Sequence, residues 1–323
     1  MRVLAAEVST ALATLDPPAA VRRAGDTVAA LCRMLPRLEA EPAADLAALP
    51  FLSDPTLPAG MTGIILAAWH RRLARTGRPS LPALLAAAFD AIGLGPDAPE
   101  RRLAMLGAVL AHATPAPRFH NARHTREVVA DAIWLAAATS ALPTADHALL
   151  LLAATIHDLG HDGGTNTRAD AFGQVRTTPC LLEDRAVALI LPAAARAGLA
   201  PARQADLIAI VRATDIALRP ALTALHDAPG LPPSLLSRLA ARPRALRVAA
   251  LLADADVLAS AGLTEASLRT QTARLGAERG RWLAPAETLG FFDHLLGGRF
   301  ISSAGRRLDS NLQALRARIA AAR

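Results

Sequence analysis

The chain has 323 residues, of which 52% are hydrophobic and only 3% aromatic, and its mean hydropathy is +0.29. This composition supplies a large buried core and excludes an intrinsically disordered protein. The formal charge of +7 comes from arginine, and the arginines are dispersed and often lie near acidic residues, which favours a mixed-charge surface over a nucleic-acid-binding stripe.

The sequence lacks the features of membrane and secreted proteins. Its longest apolar runs, such as 148–156 and 186–195, are too short to cross a bilayer. The N-terminus carries Glu7 and Asp16 and does not have the basic start and apolar stretch of a signal peptide. Cys32 and Cys180 stand alone, without a disulfide framework or zinc-binding spacing. We therefore expect a cytoplasmic protein with neither a membrane nor a nucleic acid as its partner.

Alanine and leucine dominate the chain, and alternating runs of Val, Ile and Thr are scarce, so we predict an all-α fold. Prolines divide the first hundred residues into predicted helices at 3–14, 19–35, 61–76 and 82–92, with a mobile connection at 39–58. We expect residues 1–98 to form a helical region packed on a second region, 99–323. Helices predicted in the second region span 99–112, 121–140, 144–158, 180–197, 202–217, 233–241, 244–259, 263–280, 285–296 and 302–322.

The first polar motif is RFHNARHTREVV at 118–129. His120 and His124 lie four residues apart, which is one helical turn, and Asn121 can cap the helix that follows. The alternative reading is that these histidines are cap and surface residues. That alternative loses weight because a second histidine pair follows after a single helix.

The second polar motif, LLAATIHDLGHDGGTN at 151–166, follows an apolar run. On a helix His157 and His161 share a face, and Asp158 lies about 100° round from His157, so the three side chains can converge on one pocket wall. The glycines end the helix and turn the chain tightly. This spacing favours a metal site over a capped buried helix whose polar end happens to carry histidines.

Further acidic residues interrupt apolar helices downstream. Asp215 lies late in IAIVRATDIAL, and Asp254 and Asp256 lie within VAALLADADVLASAG. A carboxylate is costly to bury unless it is paired or bound to a cation, so each of these is a ligand candidate. Glu183 opens a predicted helix, where the helix dipole alone would also favour a carboxylate.

The order of these motifs is similar to that of a known family. The series His-Asn-x-x-His, His-Asp-x-x-His-x-Gly-x-x-Asn, Leu-Glu, Ala-Thr-Asp and Ala-Asp, within 118–258, resembles the HD superfamily of metal-dependent phosphohydrolases. Within that superfamily it resembles the catalytic domain of class I cyclic nucleotide phosphodiesterases. The resemblance implies a multi-helix bundle around a central pocket for two metal ions.

The resemblance also implies roles for individual residues. A hydroxide bridging two divalent ions would attack a phosphodiester, Asp158 would bridge the ions, and His120 would be the general acid. The first ion would be held by His124, His157, Asp158 and Asp256, with Asp254 as the alternative to Asp256. The resemblance implies that waters on the second ion would be held by His161, Glu183 and Thr214. It implies that the site would be supported by Asp215 and Asn166, and Asn166 is also a substrate-binding candidate. The other implied substrate-binding residues are Thr288 and Phe291.

The donor types predict the metals. Two imidazoles and two carboxylates suit Zn, Mn or Fe at the first position, and a site rich in oxygen and water suits Mg or Mn at the second. A histidine with a pKa near neutrality suits protonation of the leaving alkoxide.

Five positions depart from the family pattern. Phe119 replaces a tyrosine, Asp162 replaces a proline, and Asp184-Arg185 replaces Asn-His after Glu183. The family's purine clamp is a glutamine followed three residues later by a phenylalanine; this chain keeps Phe291 but has Thr288 at the glutamine position. The segment 288–291 could equally be plain helix packing.

We therefore predict a phosphohydrolase whose substrate is a small phosphate compound, with hydrolysis of a 3′,5′-cyclic nucleotide to a nucleoside monophosphate as the first hypothesis. Two alternatives stay open. The substrate could be another nucleotide, such as a monophosphate, a triphosphate or an alarmone, or the chain could be a non-catalytic nucleotide-binding scaffold.

Overall fold

The computed structural model of the protein describes residues 2–15, 18–43, 54, 56–113, 117–169, 174–228 and 233–322. Helices form nearly all of its regular structure, which confirms the all-α prediction. Most of the predicted connection at 39–58 lies outside the described residues. The first eight helices are α1 Arg2–Leu15, α2 Pro18–Glu39, α3 Ala59–Thr76, α4 Leu81–Ala91, α5 Pro99–Ala113, α6 Ala122–Ala137, α7 Thr144–Ile156 and α8 Leu181–Ala197. The later helices are α9 Pro201–Arg212, α10 Arg219–Asp227, α11 Ser237–Ala240, α12 Pro243–Ala261, α13 Glu265–Glu278, α14 Pro285–Gly290, α15 Ser303–Arg306 and α16 Asp309–Ala321.

Helix α7 lies at the centre of the fold. Every residue from Ala148 to Ile156 is buried, because α5, α6 and α12 all pack against this helix. A helix that is apolar on all sides is stable only when other elements surround it. The helix ends at Ile156, so the polar motif that follows begins inside the core rather than at the surface.

The helices of the first hundred residues pack on those of the second region. Helix α1 contacts α8, α2 contacts α5, and α3 and α4 contact α6. The buried Arg126 of α6 donates to the carbonyl oxygens of Leu73 and Gly77 at the end of α3, at 2.9 and 2.6 Å. Nearby, His70 Nε2 lies 2.9 Å from the carboxylate of Asp131, and both side chains are buried. A division at residue 98 stays a prediction.

The structure contains three elements that the sequence did not predict. Strands β1 Thr167–Ala169 and β2 Val175–Thr177 form an antiparallel pair. The strand β2 is exposed along its length, so it has no alternation of buried and exposed side chains to mark it. Helix α10 begins at Arg219 with proline at its start and buries Leu222 and Leu225.

Two predicted C-terminal helices are interrupted. The predicted helix at 285–296 is divided into α14 and a π-helical turn, Phe291–Leu295, in which the amide of Leu296 donates to the carbonyl of Phe291 at 3.0 Å. The turn buries Phe292 completely, while Phe291 faces a cavity described below. The predicted helix at 302–322 is divided into α15 and α16. Among the described residues, no helix is long and apolar enough to cross a membrane.

Candidate metal centre and adjoining cavity

Two helix ends bring the central histidines together. Asn121 caps α6, where its Oδ1 accepts hydrogen bonds from the amides of Arg123 and His124 at 2.9 and 3.3 Å. This cap places His124 in the first turn of α6, with its side chain buried. His157 follows the last residue of α7, and its Nδ1 lies 3.0 Å from the carbonyl oxygen of Ala154. Because Nδ1 donates to that carbonyl, Nε2 is the nitrogen atom that faces the centre.

Four side chains converge at this centre. The Nε2 atoms of His124 and His157 lie 3.0 and 3.5 Å from Asp256 Oδ1. The same two nitrogen atoms lie 3.4 and 3.3 Å from Asp158 Oδ2. His157 Nε2 and Asp158 Oδ2 are buried and have no hydrogen-bond partner among the described residues. Buried polar atoms without a partner are costly, and a cation bound by this set would satisfy both. The donor set therefore fits a divalent ion.

The electrostatics of the four residues agree with cation binding. Burial alone would lower the pKa of His157, but the carboxylates of Asp158 and Asp256 raise it well above its ordinary value. Burial likewise opposes ionisation of Asp256, but His124 and His157 lower its pKa. The centre thus concentrates negative charge that attracts either protons or a metal ion, and it would bind a metal ion with release of protons.

A second group of potential ligands includes Asp158, His120 and His161, whose donor atoms lie within 4.8 Å of one another. The rings of His120 and His161 stack with their centroids 3.7 Å apart. Burial lowers the pKa of His161 to about 4, so this imidazole is neutral at neutral pH. Its Nδ1 accepts from the amide of Gly163 at 2.9 Å, which leaves Nε2 with the proton as a donor. Asp158 belongs to both groups of potential ligands, as a bridging carboxylate would.

Glu183 and Asn166 form the next part of the wall. Asn166 Nδ2 donates to Glu183 Oε2 at 3.0 Å, and Asn166 Oδ1 accepts from the amide of Leu182 at 3.0 Å. Burial raises the pKa of the Glu183 carboxyl to about 7. Asn166 thereby connects the end of the second motif to the start of α8.

Asp215 supports the same helix start from the other side. Its Oδ2 accepts from the amide of Cys180, and its Oδ1 accepts from the amide of Ala217, each at 3.0 Å. Cys180 precedes α8 with a left-handed φ of 59°, a backbone shape that needs such support. Thr214, the residue before Asp215, donates a hydrogen bond to the carbonyl of Val211 at 2.7 Å.

Asp254 and Asp256 take opposite sides of α12. Asp254 is fully buried and accepts from Arg219 at 2.7 Å and from the Ser302 amide and hydroxyl, both at 2.7 Å. Its oxygens are committed to these partners. The geometry therefore points Asp256, rather than Asp254, towards the histidines.

Glu278 is a site residue that the sequence analysis missed. Its Oε1 lies 2.5 Å from His120 Nδ1, and its Oε2 accepts from the amides of Phe119 and His120 at 2.5 and 3.0 Å. Burial alone would lower the pKa of His120, but the carboxylates of Asp158 and Glu278 raise it above its ordinary value. Glu278 thus favours a protonated imidazole at the centre. No local pattern could reveal this contact, because 158 residues separate the partners.

The residues that depart from the family pattern pair with their neighbours. Arg185 donates to Asp162 at 3.0 Å and to the carbonyl of Gly160 at 3.3 Å. Asp184 accepts two hydrogen bonds from Arg212, at 2.6 and 3.0 Å. The charge of Asp162 is therefore balanced at its own position.

A cavity of about 510 Å³, the inner cavity, adjoins the centre. The residues that line it include His120 and Asp256, together with Phe119, Thr288 and Phe291. The structure thus brings Asp256, His120 and both clamp candidates to one cavity, with the short Thr288 side chain in place of an amide. A pocket of this size suits a small organic ligand.

Comparisons with known proteins identify the fold. No family model and no curated protein matches the sequence. Among solved structures, the phosphodiesterase domain of the RhoPDE fusion protein from the choanoflagellate Salpingoeca rosetta matches with a TM-score of 0.51 at 20% identity, covering 79% of this chain and 89% of that one. A second structure of the Salpingoeca rosetta rhodopsin phosphodiesterase domain matches with a TM-score of 0.51 at 19% identity, covering 79% and 86%.

LmjPDEB1, solved in complex with IBMX, matches with a TM-score of 0.54 at 15% identity, covering 84% of this chain and 92% of that one. The chain therefore has the all-helical fold of phosphodiesterase catalytic domains. The resemblance drawn from the motifs is confirmed for the fold.

Proposed function

We propose that the protein is a metal-dependent hydrolase of phosphodiesters and that its substrate is a 3′,5′-cyclic nucleotide, which it converts to a nucleoside monophosphate. The observation that carries this proposal is the convergence of His124, His157, Asp158 and Asp256 around two buried atoms without partners, beside a cavity that also contains His120. The fold shared with phosphodiesterase domains supports it.

His124, His157, Asp158 and Asp256 would hold a first ion, which we propose to be Zn, Mn or Fe. Asp158 would also face a second ion, Mg or Mn, and His161 and Glu183 would hold water molecules bound to that ion. Two such cations neutralise the phosphodiester and supply a water of lowered pKa for in-line attack. Asp215 would support that second position through the start of α8, and Thr214 would support it from the end of α9.

His120 would give its proton to the leaving oxygen. Its ring lies at the wall shared by the centre and the inner cavity, and Glu278 holds its Nδ1, so the proton on Nε2 is the one free to move. An alkoxide is a poor leaving group and gains most from such protonation. The apolar side chain of Phe291 would pack against the base, and Asn166 would keep Glu183 oriented.

The first experiment measures metal content and hydrolysis with the same preparation. We expect the purified protein to contain a transition metal and to hydrolyse cyclic nucleotides, with activity lost on chelation and restored by added metal. Protein that is folded, loaded with metal and inert towards every phosphodiester would disprove the proposal.

A leaving-group comparison tests the role of His120. Loss of a general acid costs about 10²- to 10⁴-fold, so His120→Ala should reduce kcat for a cyclic nucleotide by that factor. Release of nitrophenolate needs little protonation, so hydrolysis of bis(4-nitrophenyl) phosphate should fall much less. His112→Ala, an exposed histidine on α5, is the matched control. Equal losses on both substrates would rule out the acid role.

Thr288 favours a second candidate within the same reaction class. The inner cavity offers a hydroxyl where the family pattern has a glutamine, so the base could be held differently or the substrate could be another nucleotide. A panel of cyclic nucleotides, nucleoside monophosphates and triphosphates and alarmones distinguishes the two. Turnover of a cyclic nucleotide far above all other compounds would end the second candidate.

A further inference from the structure

A second cavity lies beside the inner one, between α13, α14 and α16, and has a volume of about 820 Å³. We call it the outer cavity. Leu268, Thr272, Leu283 and Thr288 line both cavities, so the two share a wall. The candidate ligands His124, His157, Asp158 and Asp256 are not among the residues that line the outer cavity in the described part of the chain.

The outer cavity carries an excess of positive charge. Four arginines line it, together with one glutamate: Arg118, Arg269, Arg281, Arg318 and Glu265. Glu265 accepts hydrogen bonds from both Arg269 and Arg318, so one carboxylate serves two arginines. Arg281 is paired with Glu287 through two hydrogen bonds, at 2.7 and 2.6 Å. Among the described residues, the guanidinium of Arg118 has no hydrogen-bond partner. Counting only that part of the chain, about two positive charges remain without a counter-charge.

An exposed tryptophan lines the same cavity. The Trp282 side chain is 75% exposed, which is unusual for so large an apolar ring. It follows a tight turn in which Gly280 has a φ of 65° and the amide of Arg281 donates to the carbonyl of Gly276 at 3.0 Å. A Cβ atom at Gly276 would lie 2.7 Å from the carbonyl oxygen of Arg281, so this turn needs glycine there. The turn holds the tryptophan beside apolar walls that include Leu315 and Ile319.

We propose that the outer cavity binds a nucleoside monophosphate, separately from the hydrolytic site. A phosphate monoester carries about −1.5 to −2 charges at neutral pH, which matches the excess of positive charge. A base is planar and aromatic, and stacking on an exposed indole is favourable for any base. Arg118, whose guanidinium is unpaired within the described part of the chain, takes the phosphate, and Trp282 takes the base. Because Thr288 and Leu268 line both cavities, a nucleotide in the outer cavity contacts residues that also line the inner cavity.

The test measures binding to the metal-stripped protein, so its result does not depend on hydrolysis. AMP and GMP are titrated by calorimetry, with adenosine, guanosine and inorganic phosphate as partial ligands. We expect a nucleotide to bind at least tenfold more tightly than its nucleoside or phosphate alone. Only the nucleotide can place its base on Trp282 and its phosphate at Arg118 at the same time. Nucleotide affinity no higher than that of the nucleoside or of phosphate would overturn the proposal.

Variants locate the site. Arg118→Ala and Trp282→Ala should each weaken nucleotide binding about tenfold, equivalent to about 1.4 kcal/mol. Arg71→Ala, an exposed arginine of α3 outside both cavities, is the matched control and should bind as the parent does. Trp282→Phe keeps an aromatic ring, so it should retain the affinity while losing the quenching of tryptophan fluorescence that the nucleotide causes. Binding unchanged in Arg118→Ala and Trp282→Ala would place the nucleotide elsewhere and refute the proposal.

Discussion

Replacing Glu278 by glutamine tests how His120 keeps its proton. The carboxylate of Glu278 is almost fully buried, and its Oε1 lies 2.5 Å from His120 Nδ1. The contact between them is therefore a charge-assisted hydrogen bond. Glutamine keeps the shape but removes the charge and one acceptor oxygen. A hydrogen bond to a charged group contributes about 1.5–3 kcal/mol, and one pKa unit corresponds to about 1.36 kcal/mol. The pKa of His120 should therefore fall in Glu278→Gln, because the protonated imidazole loses its counter-charge.

The sign of the effect on activity follows from the acid role. A general acid works while it is protonated, so activity falls as pH rises through its pKa. The alkaline limb of the kcat/KM profile for a cyclic nucleotide should move to lower pH by about one to two units in Glu278→Gln. Glu100→Gln, which removes a carboxylate paired with Arg203 on α9, is the control. An alkaline limb that stays in place would refute the reasoning about Glu278.

Two further predictions concern the centre. Asp256→Asn should lose the bound transition metal, and with chelator present its urea stability should be close to that of the parent protein. Asp254→Asn should keep the metal and lose about 3 kcal/mol of stability, because it leaves the charge of Arg219 buried without a counter-ion. Metal analysis and urea denaturation in chelator separate the two variants, and the reverse pattern would contradict the assignment. Chelation should lower stability by about 2.7 kcal/mol from a state with metal at a hundred times its Kd, because only the folded chain gathers the four ligands. Equal denaturation midpoints with and without chelator would show that the folded centre does not bind metal.

Much of the fold could be predicted from the sequence because the strongest signals are local. The long apolar run of α7 and the cap at Asn121 fix the two helix ends that place His124 and His157 side by side. A short exposed strand such as β2 gives no such signal, since none of its side chains is buried. The π-helical turn at Phe291–Leu295 likewise departs from the period that helix prediction assumes.

The candidate site was predictable in its ligand types and less so in its orientation. Asp254 and Asp256 lie two residues apart and therefore point about 200° apart around α12, and the sequence does not say which side of the helix faces α6 and α7. The tertiary packing determines the orientation, because Arg219 and Ser302 donate hydrogen bonds to Asp254 on one side of α12. Glu278 depends on α13 returning to the loop before α6, a contact that only the assembled fold contains.

The π-helical turn gives this protein an unusual route to a changed ligand preference. It holds one residue more than an α-helical turn, so deleting a single residue within it would restore regular helix without lengthening any loop. The deletion would rotate the side chains on one side of it by about 100° relative to those on the other. Phe291 would turn relative to the residues that follow the deletion, while the histidines and carboxylates of the centre, which lie on other elements, would stay in place. A change in chain length at this turn would therefore alter what the cavity accepts without moving the candidate metal ligands.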